Sequence, residues 1–102
     1  MSKRRKLEDY LDDRLQDPLE AIQYLSASFE ANDADAILIA VGDVVRARGG
    51  MKAVADKTKL NRQNLYKMLN EGGGATLRNF MSVIDAIGLR LAPEWKRKRK
   101  AG

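Results

Sequence analysis

Cysteine and histidine are both absent from this chain. Without Cys there is neither a disulfide nor a thiolate zinc site. Without His, the commonest general base and the commonest metal ligand are missing. Long apolar runs are absent too. The longest, Ala36 to Val41, has six residues, far short of the roughly 20 that span a bilayer. The basic residues at the start are not followed by an apolar stretch, so they do not read as a secretory signal. No membrane, cofactor or metal is expected, and the cytoplasm is the expected location. Carboxylates are plentiful, but Asp12-Asp13 and Asp33/Asp35 stand in polar segments with no His, Cys or Ser constellation beside them. Helix caps and solvated charges explain them, and no enzymatic activity is expected.

What is present fits one small domain. The chain has 102 residues, 44% of them apolar and 32% charged, enough for a single core. The net charge of +5 hides a sharp division. Residues 1–6 carry +4 from Lys3, Arg4, Arg5 and Lys6. Residues 7–43 hold ten acids against one base, Arg14, which gives −9. Residues 44–102 hold fourteen bases and four acids, which gives +10. A basic half suits a phosphate backbone. An acidic half is repelled by DNA and attracted to a basic partner.

Taken in order, the chain opens with a basic arm over residues 1–6, expected to lack structure of its own. Leu7 to Gln16 sets Leu7, Tyr10, Leu11 and Leu15 among acids at helical spacing. Asp17-Pro18-Leu19-Glu20 marks a helix start, with an N-cap acid and Pro at the first helical position. That helix runs to about Ala31, with Ala21, Ile22, Leu25 and Phe29 on one face. Asp33 caps the next, over 34–48, which buries Ile37, Leu38, Val41, Val44 and Val45. Gly49-Gly50 ends it. Gly72-Gly73-Gly74 reads as a connector, since nothing around it matches a phosphate-binding loop. Thr76 caps a last helix to about Ile87, with Leu77, Phe80, Met81, Ile84 and Ile87 inward. Leu89-Arg90-Leu91 reads as a short strand closed by Pro93. Trp95 is expected to dock the basic tail, residues 93–102, on the domain or on a second copy.

Residues 51–71 are the centre of this layout. They read as two short helices, 51–58 and 62–70, around a tight turn. Asn61 caps the second, whose Leu65, Met68 and Leu69 share an inward face. Leu60 packs beneath it as a staple. Arg62, Gln63, Asn64 and Lys67 remain outside. Arg can bond guanine O6 and N7 together, and Gln or Asn can do the same with adenine N6 and N7. The candidate DNA-binding residues are therefore Lys52, Lys59, Asn61, Arg62, Gln63, Asn64, Tyr66 and Lys67. Lys52, Lys59 and Lys67 hold phosphates in this reading. Tyr66 either reaches a phosphate or covers the rim of the core. The stretch resembles the helix-turn-helix of the lambda-repressor-like (Xre) family, on the small Ala55 of the first helix and the buried Leu65 of the second. That family usually has Gly at the turn, where this chain has Lys59, so the turn is strained or built differently.

A more specific resemblance covers about residues 7–92. It is carried by Tyr10-Leu11-Asp12-Asp13, Tyr24-Leu25 and Gly42-Asp43 with Ala47-Arg48-Gly49. Ala55 with Leu65-Tyr66-Lys67, and Ile84 with Ala86-Ile87-Gly88-Leu89-Arg90-Leu91, complete it. In these the chain resembles the HigA-type probable addiction-module antidote proteins. The resemblance implies an all-α fold: a lambda-repressor-like helix-turn-helix domain of about five helices with an N-terminal helical extension, the acidic helical segment occupying 1–33 after its short basic arm and the DNA-binding domain 34–92. It implies an antitoxin that binds a RelE-like mRNA-interferase toxin, typically a basic protein, and represses its own operon through double-stranded operator DNA. A homodimer is expected, meeting through the last helix and Leu89 to Leu91. The candidate toxin-binding residues are Leu7, Tyr10, Leu11, Asp12, Asp13 and Leu15. The alternative is a stand-alone repressor whose acidic segment is a solvated helical face.

Overall fold

The computed structural model describes residues 3–96. It is all-helical, with six helices: α1 (Lys3–Arg14), α2 (Pro18–Glu30), α3 (Ala34–Ala47), α4 (Gly50–Thr58), α5 (Arg62–Glu71) and α6 (Leu77–Ala86). The expected caps are in place. Asp17 accepts from the Leu19 N–H at 2.9 Å, and Asp33 accepts from Asp35 and Ala36. Asn61 accepts from Asn64 at 2.7 Å and Thr76 from Asn79 at 3.1 Å. Each side chain satisfies backbone donors that a helix start leaves open.

The helices assemble around α3. Residues 41–45 are buried in succession, the mark of a helix enclosed on every side. Gly42 lies against α5: a Cβ built there would make an ordinary contact, 3.5 Å, with the Leu69 Cβ. One core results, drawing on Leu15, Leu25, Val41, Val54, Leu65 and Ile84 among others. Phe29 and Phe80, with ring centroids 6.4 Å apart, tie the end of α2 to α6.

Four expectations need correction. First, the basic arm does not precede α1; the helix begins at Lys3. Lys and Arg are good helix formers, so the amphipathic segment propagates back into them. Second, the inward face of α6 is Val83, Ile84 and Ile87, with Phe80 partly covered, while Leu77 and Met81 are exposed. In α2 likewise, Ala21 and Leu25 are buried but Ile22 is not. Third, Leu89 to Leu91 is not a strand, and no strand occurs among the described residues. The backbone there closes α6 instead. Gly88, at φ 88°, donates to Asp85 O at 3.0 Å and Leu89 donates to Ile84 O at 3.0 Å, a Schellman closure with Leu89 packed on the core. Fourth, Trp95 does not dock on the domain; it is 97% exposed. The basic run beyond Lys96 lies outside the described residues.

The α4–α5 turn is strained. Lys59 takes φ 64° and ψ 13°, a left-handed conformation that costs a non-glycine residue about 1–2 kcal/mol. Thr58 shores it up, its hydroxyl donating to Val54 O at 2.9 Å and accepting from the Leu60 N–H at 3.3 Å. Lys59→Gly is expected to stabilise the fold by about 0.5–1 kcal/mol, because glycine's extra freedom in the unfolded chain offsets part of the gain. The check is the urea midpoint at unchanged slope. A midpoint that stays or falls would contradict the strain argument.

Candidate nucleic-acid and protein interfaces

The α5 surface follows from its packing. Leu65, Met68 and Leu69 turn inward and are at most 1% exposed, which leaves Arg62, Gln63, Asn64, Tyr66 and Lys67 on the outside, all exposed. Lys52 on α4 and Lys59 at the turn are exposed as well. The first turn of α5 holds no acid, so its open N–H groups and Arg62 present positive charge together. The Asn61 side-chain oxygen is committed to the cap; its exposed amide remains available to donate. Tyr66 is 57% exposed. Its carbonyl accepts from the Asn70 side chain at 2.9 Å. The turn and α5 thus bring the candidate DNA contacts onto one continuous segment, with Lys52 on the adjoining helix.

The acidic end is built differently. Leu7 and Tyr10, each 56% exposed, stand on α1 beside the exposed Asp9 and Asp13. Leu11 is half-buried against the core. Asp12 is half-buried, and its Oδ1 is covered without a hydrogen-bond partner. Leu15, grouped in sequence with the partner-facing residues, is 1% exposed. It anchors the end of α1 in the core and offers nothing to a partner. Within residues 7–25, the stretch expected to carry most of the toxin binding, Leu19 and Ile22 of α2 are further exposed apolar residues.

Arg14, the lone base of this region, ties the two helices together. It donates to Glu20 on α2 through Nε at 3.0 Å and to the Tyr10 hydroxyl through Nη1 at 2.8 Å. Its guanidinium carbon lies 5.7 Å from the Tyr10 ring centroid. The arrangement ties Tyr10 to α2 through Arg14 and sets the Arg14 charge against Glu20. Glu20 first, then Tyr10, raises the Arg14 pKa above its ordinary value.

A second polar link joins α2 to α3. Asp43, 7% exposed, is a buried charge. It accepts from the Tyr24 hydroxyl on one oxygen and from Arg46 on the other. Burial, then the Asp43 carboxylate, pushes the Tyr24 phenol up to about 12, so it stays protonated and donates at any physiological pH. Among the described residues no three acids converge to hold a metal ion, and no helix is long and apolar enough to cross a membrane.

The sequence model of the family described as "Probable addiction module antidote protein" matches residues 3–94. The chain belongs to that family. It is an antitoxin by family, with a toxin as the partner the family implies. Residues 95–102 lie beyond the match. A protein of Haemophilus influenzae (strain ATCC 51907 / DSM 11121 / KW20 / Rd), described as an uncharacterized protein, is 34% identical over 79 residues, 76% of this chain and 80% of its own. No solved structure matches the chain. Family membership covers both surfaces just described, since the match runs from α1 through α6.

Proposed function

We propose that the chain neutralises a RelE-like toxin by direct binding and represses its own operon by sequence-specific DNA binding in the cytoplasm. The observation that carries this reading is the division of one rigid core into two unlike surfaces. An acidic face with exposed Leu7 and Tyr10 lies at one end of the chain order, and a basic helix-turn-helix with exposed Arg62, Gln63 and Asn64 at the other. A basic ribosome-directed toxin fits the first by charge and by apolar anchors. Duplex DNA fits the second, with α5 in the major groove in the manner of a lambda-repressor-like domain.

A homodimer completes the reading. One α5 covers few base pairs, and two-fold proteins read half-sites about one helical turn, roughly 34 Å, apart. With no strand at 89–91, the exposed Leu77 and Met81 of α6 become the contact surface we assign to the dimer. The test is co-expression with the open reading frame next to this one. Tagged chain is expected to pull down a toxin of about a hundred residues and to shift the promoter fragment upstream. A promoter shift with no co-purified protein would favour the stand-alone repressor.

A further inference from the structure

The run Trp95-Lys-Arg-Lys-Arg-Lys, residues 95–100, lies beyond the family match, and toxin neutralisation and operator reading leave it without a task. Where it leaves the fold is informative. Asp85, Ala86 and Gly88, at the end of α6, line one cleft with Lys57 and Thr58, at the end of α4. The outgoing segment therefore starts beside the turn that leads into α5. The helix α1, by contrast, packs on α3. From Leu91 to Lys96 every residue is exposed, and Trp95 is nearly bare. An indole covered by the domain would be lost to a ligand; this one stands open beside five consecutive cations.

We propose that residues 95–100 form a second contact with duplex DNA on the phosphates flanking the half-site of α5. The proposal rests on the DNA-binding reading above. From Gly88, the residues up to Trp95 span at most about 25 Å when extended, and the cations 96–100 a further 17 Å or so. That length passes several phosphates, spaced on average one per roughly 1.7 Å of duplex axis. Lys and Arg in such a run give affinity without sequence preference. The other occupant with matching charge is the acidic face of α1 on another copy. The exit beside α4, next to the DNA-facing turn, favours the duplex.

The experiment compares the full chain with a variant in which Lys96, Arg97, Lys98, Arg99 and Lys100 are all replaced by Gln. Lys96 is exposed, and the variant is checked for an unchanged urea midpoint. Affinity for the operator and for an unrelated duplex of equal length is measured across a salt series. Each phosphate contact contributes about 0.9 to the slope of log affinity against log salt. The variant is expected to lose about 4.5 units of slope per bound chain, and so about nine for a dimer, on both duplexes and to keep the operator-to-random ratio. Trp95→Ala is expected to weaken both duplexes by a similar, smaller factor. An unchanged slope overturns the proposal. So does a variant that binds DNA normally but no longer binds the toxin, or one that loses binding only to single-stranded RNA. If the full chain binds neither duplex, the DNA reading itself fails, a result distinct from failure of the tail alone.

Discussion

Leu7→Ala combined with Tyr10→Ala is expected to abolish rescue of toxin-arrested cells while leaving operator affinity within about twofold. The expectation comes from exposure and chemistry together. Both side chains are half exposed on α1, and they stand among Asp9, Asp13 and Asp17. Interfaces draw most of their energy from a few apolar or aromatic anchors that become fully covered, often 2 kcal/mol or more each. Two such anchors lost together weaken binding by about a thousandfold. The surrounding carboxylates act earlier, by steering a basic partner into the encounter. Leu11 is a poorer choice for the test, because it packs on the core and its loss confounds binding with stability. The variant chain should be checked for an unchanged urea midpoint. If it still rescues cells fully, the toxin surface lies elsewhere, with Leu19 and Ile22 of α2 the next to replace.

The helix starts were legible because each carries its own chemistry: Asp17 before Pro18, Asp33, Asn61 and Thr76 each cap a helix in the structure. The inner face of α5 was legible for the same reason, a short apolar stripe at strict spacing. What escaped depends on neighbours far away in sequence. Leu77 and Met81 share the apolar character of Val83 and Ile84, and only the packing of α6 on α4 decides which pair is covered. Leu89-Arg90-Leu91 has strand-like alternation, but Gly88 commits the backbone to closing α6. Leu15 matches Leu7 in type and continues the same row through Leu11, to whose carbonyl its N–H donates at 2.8 Å, yet Leu15 is buried and Leu7 exposed. The Tyr24–Asp43–Arg46 link left one readable sign, an acid inside the apolar run of α3. Its partner across the sequence, Tyr24, carried no such sign. Lys59 was legible as a departure from a familiar glycine. Its left-handed conformation shows that the turn keeps the common geometry and absorbs the strain.

Gln63→Ala is expected to cost about 1–3 kcal/mol per half-site, and so about 2–6 kcal/mol on a two-fold operator, with little loss on random duplex. Gln63 lies in the first turn of α5, where a recognition helix presents its side chains to base edges. Its side chain is exposed, and no hydrogen bond within the described fold occupies it, so it is available to pair with adenine N6 and N7 at once. Arg62, its neighbour, is assigned to guanine by the same bidentate geometry in the proposed reading. Lys52 and Lys67 are assigned to phosphates in the proposed reading, and their replacement by Ala is expected to weaken operator and random DNA alike while lowering the salt slope by about 0.9 per contact. The two classes of variant therefore separate on a single plot of operator affinity against random affinity. Gln63→Ala moves along one axis, and the lysine variants move along the diagonal. The substitution removes no core atom, because Leu65, Met68 and Leu69 carry the packing of this helix. A loss of equal size on both duplexes would remove Gln63 from the base-reading set. The assignment of base reading would then pass to Asn64 and Arg62, the other exposed polar side chains of that turn.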